Sequence, residues 1–174
     1  MADDIYTFAE RRMIHMILLT AFKGRNNASR TLLDRVGGQH IAKALLTNSF
    51  DACKQELIES ISSCHPKYVI SLGRKPVINR LYIETTACNE NFCIKTGFDL
   101  SLLQDSLKRY GIPFKISLKP SNFLCNHVYY YGLNYIEKNT PKTKMIFIHV
   151  PDMKRFQNID SVVFWLNNFC GELL

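Results

Sequence analysis

The sequence predicts a three-layer α/β/α fold around a mostly parallel, twisted central sheet, and three observations predict it. Short, nearly continuous apolar runs, of which Met145 to Val150 (MIFIHV) is the clearest, have the pattern of strands buried on both faces. Stretches of helical length and amphipathic spacing alternate with those runs along the chain. A chain of 174 residues with 47% hydrophobic residues is also long enough to bury a core without disulfide or metal staples.

Met13 to Thr20 (MIHMILLT) reads as the first strand, followed by a polar loop over 21–28 and a short helix from Ser29 to Val36. Gly37 and Gly38 are expected to end that helix, because glycine takes the left-handed terminal conformation without a Cβ clash. His40 to Leu46 reads as a second strand. Asp51 to Cys64 is an amphipathic helix with Cys53, Leu57, Ile61 and Cys64 on one stripe. Tyr68 to Leu72 returns to strand pattern, and Gly73 is expected to turn the chain. Leu81 to Thr86 is a further strand, Leu100 to Tyr110 a helix ended by Gly111, and Pro113 to Leu118 a strand. Ser121 to Glu137 is a helix with Ser121 as its N-cap. Met145 to Val150 is a strand stopped by Pro151, and Ile159 to Phe169 a closing helix. No repeat, low-complexity tract or linker interrupts the series, so one domain over 1–174 is expected.

Composition narrows the class. The opening stretch mixes Asp3, Asp4 and Glu10 with Arg11 and Arg12, unlike an export signal with its basic start and apolar run. The six cysteines are therefore expected as free thiols in a reducing cytoplasm. The apolar runs are too short to span a bilayer, so no membrane partner is expected. A formal charge of +7 invites a nucleic-acid reading. The basic residues come singly or in pairs, with no zinc-finger or aromatic RNA-binding signature, so a solvated surface is the expectation and nucleic acid is not. Cys88 and Cys93 lie five apart, outside the two-to-four-residue ligand loop of a zinc site, and no second pair completes four ligands. No zinc site is expected at these cysteines.

Three residues could carry chemistry. His149 ends the MIFIHV strand, where open α/β sheets bind ligands, and reads either as a hydrogen-bonded core histidine or as a base. Cys125 falls in the first turn or so of the helix from Ser121 to Glu137, where free N–H groups and the dipole favour a thiolate. It reads equally as a small buried hydrophobe. Glu84 lies within an apolar, β-branched strand and is costly to bury without a donor. An imidazolium would satisfy it; an exposed position or an ion pair with Arg80 is the plainer alternative.

These residues resemble a known family. Phe123-Leu124-Cys125-Asn126-His127-Val128 followed by Phe147-Ile148-His149-Val150-Pro151 is similar to the nucleophile and histidine motifs of pyroglutamyl peptidase I, also called pyrrolidone carboxyl peptidase. Ile83-Glu84, Ala87 and Asn89 match the family's glutamate motif, and the order Glu, Cys, His is preserved. Leu18 to Phe22, Asn27-Ala28-Ser29, Pro66 to Gly73 and Gly111-Ile112-Pro113 have counterparts in the same order. The resemblance implies a phosphorylase/hydrolase-like fold and a cysteine peptidase that removes N-terminal pyroglutamate. In it Cys125 attacks the amide carbonyl, His149 shuttles the proton, Glu84 orients the imidazole, and a thioester forms, with no metal or organic cofactor expected. Phe22, Asn27 and Leu124 are the implied substrate-binding residues, a small peptide or amide the implied substrate, and a homo-oligomer the implied assembly.

Three departures from the family concern specificity. The loop after the first strand keeps Phe22 but lacks the second phenylalanine of the family's apolar clamp. Lys119-Pro120-Ser121 stands where the family has Ser-Ala-Gly, and the segment between Glu84 and Cys125 is shortened, without the family's arginine. A cysteine amidase or deamidase acting on another small amide, and a non-catalytic binding protein on the same fold, are therefore the alternatives.

Overall fold

The computed structural model describes residues 17–120, 123–156 and 158–174. The opening stretch over 1–12, residues 13–16 of the predicted first strand, and the expected cap Ser121 lie outside the described residues. In chain order the elements are β1 (Ile17–Phe22), α1 (Ala28–Arg35), β2 (Ile41–Leu46), α2 (Phe50–Cys64), β3 (Tyr68–Arg74), β4 (Leu81–Glu84), β5 (Thr86–Cys88), β6 (Cys93–Lys95), α3 (Leu100–Arg109), β7 (Phe114–Ser117), α4 (Leu124–Asn139), β8 (Lys144–Val150) and α5 (Ile159–Glu172). A 3-10 turn at Met153–Arg155 precedes α5.

The main sheet runs β2-β1-β3-β8-β4-β7. The first four strands are mutually parallel, β4 is antiparallel to β8, and β7 is parallel to β4. The predicted mostly parallel sheet is thus present, with two strands reversed at one side. Continuous apolar runs show that a strand is buried on both faces but not which way it points, so the reversal was not legible in the composition of β4.

Alternation along the strands divides the core in two. Ile17, Leu19, Ile70, Leu72, Ile146, Ile148, Leu81 and Ile83 face α1, α3 and α5, where Trp165 stacks on Phe169. Leu18, Phe22, Val69, Met145 and Phe147 face α2 and α4. Period-two geometry then puts Thr20, Ser71, Gly73, His149 and Glu84 on that second face as well. Thr20 and Ser71 pair their hydroxyls at 2.8 Å, which satisfies two buried polar groups.

Helix starts follow capping chemistry. Asn27 accepts from the Ser29 N–H at the head of α1, Asp99 from Leu102 at α3, and Asn158 from Ser161 at α5. Four details differ from the sequence reading. α1 ends on an extended Val36 and not on a left-handed Gly37. Gly73 lies inside β3, paired with His149, and does not turn the chain. α4 starts at Leu124, with Phe123 as N-cap and no side-chain cap bond. The expectation of free thiols fails at Cys88 and Cys93, which form a disulfide across the β5–β6 hairpin. Asn89 closes that hairpin by accepting from the N–H groups of Asn91 and Phe92, so the local turn brings the two sulfurs together. No described helix is long and apolar enough to cross a membrane.

Candidate active site

The reversal of β4 builds the first half of the site. Tyr82 pairs with His149 and Glu84 with Phe147, so Glu84 and His149 are diagonal neighbours on one sheet face. The carboxylate oxygen Oε1 lies 2.7 Å from His149 Nδ1, and both side chains are buried. Glu84 therefore pairs with the histidine and not with Arg80, whose Nε donates to Asn79. The second carboxylate oxygen, Oε2, has no hydrogen-bond partner among the described residues. Tyr129 of α4 donates its hydroxyl to the Glu84 carbonyl at 3.0 Å, which holds the backbone beneath the pair.

The second half comes from α4. Cys125 is its second residue, over the end of β3. A Cβ added at Gly73 would lie 2.7 Å from the Phe147 ring and 2.9 Å from Cys125 Sγ. The glycine is thus required by the close approach of the thiol and the ring. Gly73→Ala is expected to cost about 1–3 kcal/mol of stability and to lower activity more than about tenfold through displacement of the sulfur. Thermal unfolding and turnover check this, and a variant as stable and active as wild type refutes it.

Asn126, next in the chain, is marked in the sequence only by its place in the Phe123 to Val128 motif. Its side chain accepts from the Cys88 N–H at 2.9 Å and donates to the Cys88 carbonyl at 2.6 Å. One amide thereby fastens the disulfide hairpin to the helix start. No sequence spacing links positions 88 and 126, so only the fold reveals the bracket. His127 faces elsewhere, its Nε2 3.1 Å from the Phe50 carbonyl.

Cys125, His149, Glu84, Thr86, Pro120, Asn126, Tyr129 and Phe147 enclose a void of about 10 Å³. That is room for roughly one water-sized atom group. No hydrogen bond joins Cys125 to His149, whose side-chain bond is the one to Glu84. Beyond the sulfur a larger cleft of about 330 Å³ opens, lined by Phe22, Asn27 and Leu124 together with Lys23, Gly24, Arg25, Asn48 and Arg74. The three residues predicted to bind substrate are therefore gathered beside Cys125. Phe22 is largely covered by the core, and Asn27 also spends its amide on capping α1 and on the Phe22 carbonyl.

The position of Cys125 at a helix start favours a thiolate, but opposing effects win. Burial first, and then the negative charge of Glu84, push the thiol up to about 12. At neutral pH the sulfur rests protonated and needs a base. Burial likewise pushes Cys53 to about 11 and Cys170 to about 12, from an ordinary value of 9.0.

The native state holds these three protons more tightly than the unfolded chain does. Their stabilising contribution is complete below about pH 9 and is lost as pH rises toward 11 and 12. The free energy of unfolding in urea is expected to fall by a few kcal/mol across that window, at about 1.4 kcal/mol per unit for each thiol. Cys170→Ala should flatten the fall, and constant stability from pH 9 to 11 contradicts the prediction.

The fold and the site define a hydrolase-like α/β/α protein with a buried Glu–His pair and a cysteine at a helix start. Residues 95–162 match the family model described as pyroglutamyl peptidase. The pyrrolidone-carboxylate peptidase of Thermosipho melanesiensis is 30% identical over 167 aligned positions, covering 78% of this chain and 82% of that protein. That of a Thermoanaerobacter species is 29% identical, with 78% and 81% covered. The chain belongs to the pyroglutamyl peptidase family, also called the pyrrolidone-carboxylate peptidases, and so to a family of peptidases. Solved structures share the fold. Pyroglutamyl peptidase I of Bacillus amyloliquefaciens superposes with a TM-score of 0.80 at 21% identity, covering 89% of this chain and 94% of that one. Pyrrolidone carboxyl peptidase of Thermus thermophilus gives 0.77 at 22%, with 91% and 100% covered.

Proposed function

We propose that this protein hydrolyses N-terminal pyroglutamyl amides through Cys125, His149 and Glu84. The observation that carries the reading is the 2.7 Å contact between Glu84 Oε1 and His149 Nδ1, buried beside the only cysteine that lines the cleft. A carboxylate on Nδ1 fixes the tautomer whose free nitrogen is Nε2 and stabilises the imidazolium. His149 Nε2 takes the proton from Cys125 as the sulfur attacks the amide carbonyl. The negative charge that develops on the oxygen is met by N–H groups at the uncapped start of α4. The same proton passes to the departing amine, the C–N bond breaks and a thioester remains. Water, deprotonated by His149, then opens the thioester and returns the thiol.

The raised thiol fits this order of events, because a resting thiol transfers its proton only when attack begins. The missing hydrogen bond between Cys125 and His149 fits a resting enzyme whose contacts tighten when substrate binds.

The test is turnover of a pyroglutamyl fluorogenic amide beside the matching acyclic glutamyl and alanyl amides. Hydrolysis confined to the pyroglutamyl compound is the expected result. Hydrolysis of none of them overturns the reading. Hydrolysis of small acyclic amides in preference to the pyroglutamyl one favours the amidase alternative, for which the incomplete apolar wall around Phe22 is the supporting feature.

A further inference from the structure

The start of α4, where Cys125 sits, lacks the side-chain cap that begins α1, α3 and α5. Its first turn is held from outside by Asn126, whose amide spans the N–H and the carbonyl of Cys88 at 2.9 Å and 2.6 Å. An uncapped first turn is the part of a helix that opens most readily, so this bracket governs how firmly the neighbouring sulfur is placed.

The bracket is only as firm as the hairpin it grips. β5 and β6 pair with each other over three residues each and, among the described residues, join no other strand. A two-stranded ribbon of that length is marginal in water. At its base Ala87 and Ile94 pack onto the half of the core facing α2 and α4, and Thr96 donates its N–H to the Thr85 carbonyl. Its far end is closed by the Asn89 turn and by the Cys88–Cys93 disulfide. Cys93 and Phe92 at the tip are exposed, so the disulfide is within reach of soluble thiols. Thr86, on the same β5 strand as Cys88, lines the void beside Cys125 and His149.

We propose that Asn126 positions the Cys125 sulfur through this hairpin, and that the Cys88–Cys93 disulfide is a redox-sensitive element that sustains turnover when closed and lowers it when open. The inference rests on the reading of Cys125 as the nucleophile. Opening is thiol–disulfide exchange with a soluble dithiol. One thiolate of the dithiol attacks the exposed Cys93 sulfur, the S–S bond breaks, and Cys88 leaves as a thiolate that takes a proton. The second thiol of the reagent then displaces Cys93 as a thiol, and the reagent ends as a cyclic disulfide. The hairpin gains two electrons and two protons, all from the dithiol. Oxidised glutathione reverses the exchange and leaves as two molecules of its thiol. With the cross-link gone the ribbon loosens, the bracket loses its fixed partner and the sulfur shifts from its place beside His149. The residues Phe22 and Asn27 of the cleft lie on the far side of Cys125 and are untouched, so the loss falls on kcat and spares KM.

The closed and open forms of the whole chain are compared. In the unfolded closed protein four thiols should titrate, those of Cys53, Cys64, Cys125 and Cys170, and six after dithiothreitol. Those four are already thiols, so the reagent acts at the hairpin alone. On opening, kcat for a pyroglutamyl fluorogenic amide is expected to fall about tenfold with KM within about twofold, and to recover on reoxidation with oxidised glutathione. Cys88→Ser combined with Cys93→Ser should show the low kcat without reductant. Asn126→Ala should cut the closed-to-open ratio of kcat to less than about twofold. Asn126→Asp keeps an acceptor for the Cys88 N–H and loses the donor to its carbonyl, and should give an intermediate ratio. Each variant is its own reference, which separates positioning from damage to the fold.

A second readout needs no turnover. Iodoacetamide alkylation of Cys125, measured against the free thiol Cys64 in the same sample, should quicken about threefold in the double serine variant as the sulfur gains exposure, while kcat falls. With an active enzyme, equal kcat in the closed and open forms overturns the proposal, and so does a closed-to-open ratio that Asn126→Ala leaves unchanged. If no pyroglutamyl amide is turned over in either form, the alkylation comparison decides: a faster Cys125 in the open form upholds the coupling while the pyroglutamyl reading fails, and equal rates end both.

Discussion

Replacing Cys125 by alanine is expected to lower turnover of a pyroglutamyl amide by about 10⁴- to 10⁶-fold at neutral pH, because no other group can form the thioester. The fold should survive. The substitution removes one partly buried sulfur from the edge of the core facing α2 and α4, and truncations of that size cost about 1 kcal/mol. The informative control is Cys170→Ala. Cys170 is fully buried and lies in the other half of the core, against α1, α3 and α5, so its replacement should lower stability and keep activity. Turnover and urea unfolding of both variants check the pair of expectations. Activity within tenfold of wild type in Cys125→Ala would remove the sulfur from the reaction altogether.

Glu84→Gln is expected to produce two opposite changes. It preserves side-chain volume but removes the charge that stabilises an imidazolium on His149, and its amide can donate to Nδ1, which favours the wrong tautomer. In a serine protease the corresponding carboxylate-to-amide change costs about 10⁴-fold, so a fall in kcat of about 10²- to 10⁴-fold is expected here. The same variant takes away one of the effects that raise the Cys125 thiol, so that thiol should ionise at lower pH than in wild type. Iodoacetamide alkylation of Cys125 should therefore speed up at pH 8 to 9 while turnover collapses. A merely structural glutamate would not separate the two readouts. Unchanged kcat, or slower alkylation in parallel with slower turnover, contradicts this account of the charge.

Much of this was written in the sequence where local chemistry decides the outcome. The MIFIHV run gave β8 because six residues of that composition can be satisfied only inside a sheet. Asn27 and Asp99 mark helix starts because their side chains accept from backbone N–H groups two or three residues on. What was hidden depends on neighbours distant in sequence. Gly73 is a turn signal by composition, yet its role is to make room for Phe147 and Cys125. The pairing of Cys88 with Cys93 follows from hairpin register, which the spacing alone does not disclose. The choice between the two readings of Cys125 is not local, because helix position is visible in the sequence whereas burial and the Glu84 charge arrive through the fold. Arg25 sits in a loop whose sequence shows a lost phenylalanine, but not the cleft it faces.

The diagonal placement of Glu84 and His149 has an evolutionary consequence. Their separation is set by the hydrogen-bond ladder between β4 and β8, a part of the chain whose amides should exchange with solvent only on global unfolding. The loop over 22–27 lines the cleft without setting that distance. Insertions, deletions and substitutions there can change which substrates fit while the Glu84–His149 contact stays in register. The shortened segment between Glu84 and Cys125 is a change of that kind, at a place where diversification leaves the pair untouched.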